Sequence, residues 1–101
     1  MKVLFATAIA LMMLLSSAFA ESFEPIVKIV LDSEKTIHVF AQNITDTDYL
    51  CKFNVSRFVN GSTWKNNYGT EVLRNQETME LIFRHDVTDR ITLIRAKFNC
   101  R

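Results

Sequence analysis

The chain has 101 residues, with twelve basic and eleven acidic side chains, 49% hydrophobic residues, two glycines, one proline and two cysteines. A chain this short allows one domain with a modest core, and its near-neutral charge offers no net field to draw nucleic acid or an anionic membrane. Two glycines are too few for a glycine-rich nucleophile turn or a phosphate loop, which argues against an enzyme.

Met1-Lys2 opens the sequence, followed by a largely apolar run from Val3 to Leu15 and then Ser16-Ser17-Ala18-Phe19-Ala20. A cationic start, an apolar stretch too short to span a bilayer and small residues at −3 and −1 describe a secretory signal peptide over 1–20. Cleavage after Ala20 would leave a single domain over 21–101, beginning at Glu21. Lys2 leaves with the leader, so the twelve basic residues fall to eleven, the number of acids. No cysteine stands at the cleavage point and no second apolar run reaches transmembrane length. The expected destination is therefore the periplasm or the extracellular medium, with no membrane anchor. In that oxidising setting Cys51 and Cys100, an even pair, are expected to form a disulfide.

Ile26 to Leu31 is short and β-branched, a strand that Asp32 to Lys35 turns. Thr36 to Gln42 alternates, with Ile37, Val39 and Ala41 on one face. Asn43 to Asp48 is a cluster of side chains that bond local backbone, hence a loop. Tyr49 to Val59 is the clearest strand: Tyr49, Cys51, Phe53 and Val55 share one face, and Lys52, Asn54 and Ser56 share the other. Asn60-Gly61 is a hairpin signal because both residues tolerate positive φ. Ser62 to Asn66 would return as a short strand, broken again at Asn67-Tyr68-Gly69. Thr70 to Arg84 is ambiguous. It reads as a short strand, a turn at Asn75-Gln76-Glu77 and a strand from Thr78. Its helix formers and the spacing of Val72, Gln76, Met79 and Phe83 also fit a helix, which would make the fold α+β. His85 to Asp89 turns, and Arg90 to Cys100 is the last strand. Ile91 and Leu93 fall out of its register, which predicts a bulge near Thr92.

Six to seven short strands at this spacing predict an all-β fold, a small antiparallel β-sandwich. Alternation assigns Ile29, Ile37, Val39, Cys51, Phe53, Val55, Leu81, Phe83, Ala96 and Phe98 to its core. The chain resembles the broad class of exported immunoglobulin-like sandwich domains. The resemblance rests on Asn43-Ile44-Thr45 before a long strand, Phe53-Asn54-Val55 within it, Asn60-Gly61 after it and the alternating strand from Thr78. The antibody-type core tryptophan is missing, since Trp64 follows the hairpin. In a truncated order of that class the third and last strands are neighbours. Cys51, near the start of one, then faces Cys100, at the end of the other.

Few residues suggest chemistry. His38 and His85 show no metal-ligand spacing, and a Cys51–His nucleophile pair would need a free thiol where a disulfide is expected. No cofactor or metal is implied, and a small hydrolase is the least supported reading. Asn43, Asn54 and Asn60 begin N-glycosylation sequons, read here as chance in an asparagine-rich bacterial protein. The best lead is Asn60 to Tyr68, which sets Trp64 and Tyr68 among small polar residues, the composition of recognition loops. The competing expectation folds Trp64 over the sandwich edge as core. Phe40, Leu50, Phe58 and Ile82 fall opposite the core faces and would form a partner patch if they clustered. The sequence thus describes an exported binding module for another extracytoplasmic protein, with an inhibitor or assembly chaperone acting through an edge strand as the alternative. Self-association is an open possibility.

Overall fold

The computed structural model describes residues 22–101, so the leader reading over 1–20 lies outside the described residues. Six strands follow one another: β1 (Ile26–Leu31), β2 (Thr36–Gln42), β3 (Tyr49–Val59), β4 (Thr63–Leu73), β5 (Thr78–Arg84) and β6 (Ile91–Cys100). They form two three-stranded sheets, β1-β2-β5 and β4-β3-β6. Every pairing is antiparallel. The fold is therefore all-β and sandwich-like, because each sheet has one apolar face to bury and the other sheet supplies the cover.

No helix occurs among the described residues, and the helical alternative over 70–84 is corrected. Asn43 explains why. Its side chain is fully buried. Its amide donates to the carbonyls of Thr47, Leu73 and Arg74, and its oxygen accepts from the Thr45 amide and hydroxyl. Those carbonyls are committed to tertiary bonds, so the chain turns after Leu73. Gln76 completes the turn at φ 59°.

The break expected at Asn67-Tyr68-Gly69 does not occur either, and β4 runs unbroken for 11 residues. Gly69 lies directly opposite Phe53. The Phe53 ring covers the glycine so closely that an added Cβ would overlap Cζ and come within 2.7 Å of Cε2. A large ring laid over a missing side chain restores the packing that glycine lacks in a strand. The Asn60-Gly61 hairpin forms with positive φ at both residues, 55° and 69°. The β6 bulge falls within two residues of its expected place. Register shifts between Ser56 and Phe58 on β3, and Leu93 on β6 takes φ 53°.

The core divides into two clusters. Ile37, Val39, Val55 and Ile91 form one, with Ile29, Phe53, Leu81, Phe83, Ala96 and Phe98 packed against it. Ala41, Cys51, Leu73 and Cys100 form the other. All ten residues assigned inward by alternation lie in or against these clusters. Leu73 was absent from that assignment because it sits in the segment of ambiguous period. Cys51 and Cys100 are bridged, directly paired across β3 and β6 with Cα atoms 4.0 Å apart. Leu50 and Arg101 exchange both backbone hydrogen bonds. Cys51 and Cys100 therefore occupy the adjacent non-hydrogen-bonded site, where antiparallel Cα atoms approach most closely.

Candidate recognition surface

Cys51, Val55, Arg57 and Val59 point inward from β3, so Leu50, Lys52, Asn54, Ser56 and Phe58 point out. The register then sets Val72, Thr70, Tyr68, Asn66 and Trp64 of β4 beside them, in that order. On the other flank β6 contributes Asn99, Lys97, Arg95 and Thr92. These side chains share one face of the sheet. Strand alternation carried across Gly69 would have revealed the β4 row in the sequence.

The aromatic side chains sit on this face. Trp64 is directly opposite Phe58, ring centroids 5.2 Å apart and tilted by 50°. The Arg95 guanidinium lies over the Trp64 ring, 5.8 Å from its centroid. Trp64 still exposes 45% of its surface, and Tyr68 exposes 74%. Trp64 is therefore not core, and its ring is held by Phe58 on the neighbouring β3 and by Arg95 reaching across from β6. Between the two rings, Ser56 donates to Asn66 Oδ1 at 2.6 Å, making the middle of the face polar. Next to Tyr68, a shallow cleft is bordered by Lys52, Asn54, Lys97 and the lead-in at Phe23.

Asn60 belongs to the scaffold instead. Its amide donates to Asp89 and its oxygen accepts from the Arg90 amide, tying the hairpin to the β5–β6 loop. Phe40 and Phe58 do not share a surface. Phe40 and Ile82 lie on the outer face of the β1-β2-β5 sheet, with Ile26 and Val30. Leu50 and Phe58 lie near opposite ends of the other sheet.

The histidines have built surroundings that their spacing did not reveal. His38 meets Glu80 through Nδ1 at 2.8 Å and Asp32 through Nε2 at 3.0 Å, and these bonds raise its pKa. His85 Nε2 accepts from Arg57 Nε at 2.9 Å, so the neutral ring carries its proton on Nδ1. That Nδ1 is buried and, among the described residues, meets no hydrogen-bond partner of ordinary geometry. Burial, then the charge of Arg57, lowers the His85 pKa. Arg57, only 6% exposed, was not singled out in the sequence although its alternation position points it inward. It donates to His85, Asn67 and the Val55 carbonyl, and its guanidinium rests on the Phe83 ring. Neutral acceptors and an aromatic face thus satisfy this buried cation.

Among the described residues no cluster of three His, Cys, Asp or Glu side chains is arranged to hold a metal ion. The buried, fully bonded Asn43 amide is not available to a glycan. No protein-family model matches the chain, no curated protein matches it, and no solved structure matches it.

Proposed function

We propose that the protein is an exported, non-enzymatic binding module of immunoglobulin-like architecture that recognises another extracytoplasmic protein through the outer face of β4-β3-β6. The observation that carries this reading is the pair Trp64 and Tyr68, 45% and 74% exposed on the one strand β4, with Trp64 held by Phe58 and Arg95. Large rings fixed before binding lose little conformational entropy when a partner covers them. The leader-like start and the disulfide support an oxidising, extracytoplasmic location. The sheet order supports the immunoglobulin-like reading, since third and last strands are neighbours as in a truncated order of that class.

Trp64→Ala tests the proposal. Removing a central aromatic should weaken partner binding by roughly 2 kcal/mol, about thirtyfold. Because the ring lies on the surface of an edge strand, the melting temperature should fall by only a few degrees. Both are measured on the same variant, with partners captured from extracytoplasmic extract. Binding loss that merely tracks the unfolded fraction would refute the proposal.

One observation favours a second reading, an inhibitor or assembly chaperone that adds a strand to its target. β1 is an edge strand on which Ile26, Val27, Val30 and Leu31 are all exposed. An apolar, uncovered edge is the feature through which strand addition works.

A further inference from the structure

The outer face of β4-β3-β6 carries charge of one sign. Lys52, Arg95 and Lys97 stand on it, all exposed, and Arg101 follows at the end of β6. No Asp or Glu occupies an outward position on β3, β4 or β6. Glu71, the one acid within these strands, lies at an inward position opposite Cys51. The acids nearest in sequence gather elsewhere: Asp46 and Asp48 in the β2–β3 loop, Glu77 in the β4–β5 turn, Asp86 and Asp89 in the β5–β6 loop, and Glu80 on the other sheet. Glu24 of the lead-in is the one acid that lines the cleft beside Lys52 and Lys97, and it makes no ion pair within 4.0 Å with either. Among the described residues the ion pairs within 4.0 Å both belong to His38, so the cations of this face have no counterion. A chain whose net charge is close to zero therefore presents a cationic surface.

We propose that this face binds an acidic, extended segment of a protein partner; the inference rests on the recognition reading above and names the chemistry of what is recognised. Spacing supports a peptide. Alternate residues of an extended chain recur about every 6.8 Å, the same interval that separates Arg95 from Lys97 along β6. Acidic side chains on one face of such a segment match these cations in register. The aromatic geometry argues against stacked bases. Arg95 already lies over the Trp64 ring, leaving guanidinium N–H donors, suited to carboxylates, where a base would stack. Ser56 and Asn66 are bonded to each other across the middle of the face, and an extended strand can lie along the sheet there.

The probe is poly-L-glutamate, titrated into the oxidised protein and followed by NMR, with heparin and oligothymidylate as competitors. Resonances of Lys52, Trp64, Tyr68 and Lys97 should shift. Lys52→Ala/Lys97→Ala should weaken binding about tenfold, Lys97→Glu alone by a similar factor, and Lys28→Ala on the opposite sheet should leave it unchanged. Binding should vanish in about 1 M salt, where the Debye length is about 3 Å. These cations are exposed, so both variants should keep the parent melting temperature.

Shifts confined to another surface, or equal loss in Lys28→Ala, would overturn the proposal. Tighter binding of heparin or oligothymidylate than of polyglutamate would overturn the assignment to a protein segment. Self-association abolished by Lys97→Glu would transfer the face to a second copy of this chain. If polyglutamate fails to bind while Trp64→Ala still weakens partner binding about thirtyfold, the acidic-segment inference falls and the recognition reading stands. If both results are negative, both fall.

Discussion

His38 stands in the middle of β2 with a carboxylate on each ring nitrogen, and His85 follows β5 with a buried arginine on one nitrogen and, among the described residues, no hydrogen bond of ordinary geometry on the other. The same residue type is thus pushed in opposite directions by its neighbours. Hydrogen bonds to Glu80 and then Asp32 raise the His38 pKa above its ordinary 6.5. Its stabilising contribution is complete below that value and is lost as pH rises through the raised folded value. Burial and the Arg57 charge lower the His85 pKa. Its contribution is complete above 6.5 and is lost as pH falls through the lowered folded value. Asp32 and Asp48, held low chiefly by backbone hydrogen bonds from Thr36 and Asn75, also lose stabilisation on the acid side. His38→Gln should therefore flatten the decline of melting temperature above neutrality, and His85→Gln should reduce the decline on acidification. Melting curves over roughly pH 4 to 9 check both, and unchanged profiles would contradict these assignments.

Among the elements, β6 shows how a local fault sustains a useful surface. Its bulge inserts one extra residue opposite Arg57, which returns Ile94, Ala96 and Phe98 to the core and sends Arg95 and Lys97 outward. Leu93 absorbs the irregularity at φ 53° and leaves 59% of its surface exposed. The left-handed conformation costs an L-residue about 1–2 kcal/mol, and glycine gives back roughly 0.5–1 kcal/mol in lost unfolded-state entropy. Leu93→Gly should therefore stabilise the protein by about 0.5 kcal/mol, visible as a raised urea midpoint with an unchanged slope. A lowered midpoint would mean that the Leu93 side chain contributes packing. The alternation of this strand was legible on both sides of the bulge, and the bulge itself was legible as a loss of register. β4 was less so: a glycine and two polar residues read as a break because the compensating ring, Phe53, lies sixteen positions earlier in the chain and becomes its neighbour only through pairing.

For the molecule as a whole, one covalent bond joins β3 to β6 across 49 residues of sequence, in a domain with two small cores. Closing a loop of that length in the unfolded chain accounts for roughly 4 kcal/mol, a large part of the net stability such a domain has. Cys51→Ala/Cys100→Ala should lose about that much in equilibrium denaturation. An unchanged midpoint would show that strand pairing alone secures the sheet.

The sequence by itself determined β1, β2, β3 and β6, their inward faces and the cysteine pairing, because period-2 alternation and turn chemistry are local and these side chains obey them. It left the surface undetermined. Lys52, Arg95 and Lys97 balance against acids in any count along the chain, and Phe40 and Phe58 are alike in their alternation. Which side chains share a face depends on sheet order and register, set by pairings between residues tens of positions apart. Only the tertiary structure brought β4, β3 and β6 together, separated the cations from the acids and placed Trp64 beneath Arg95.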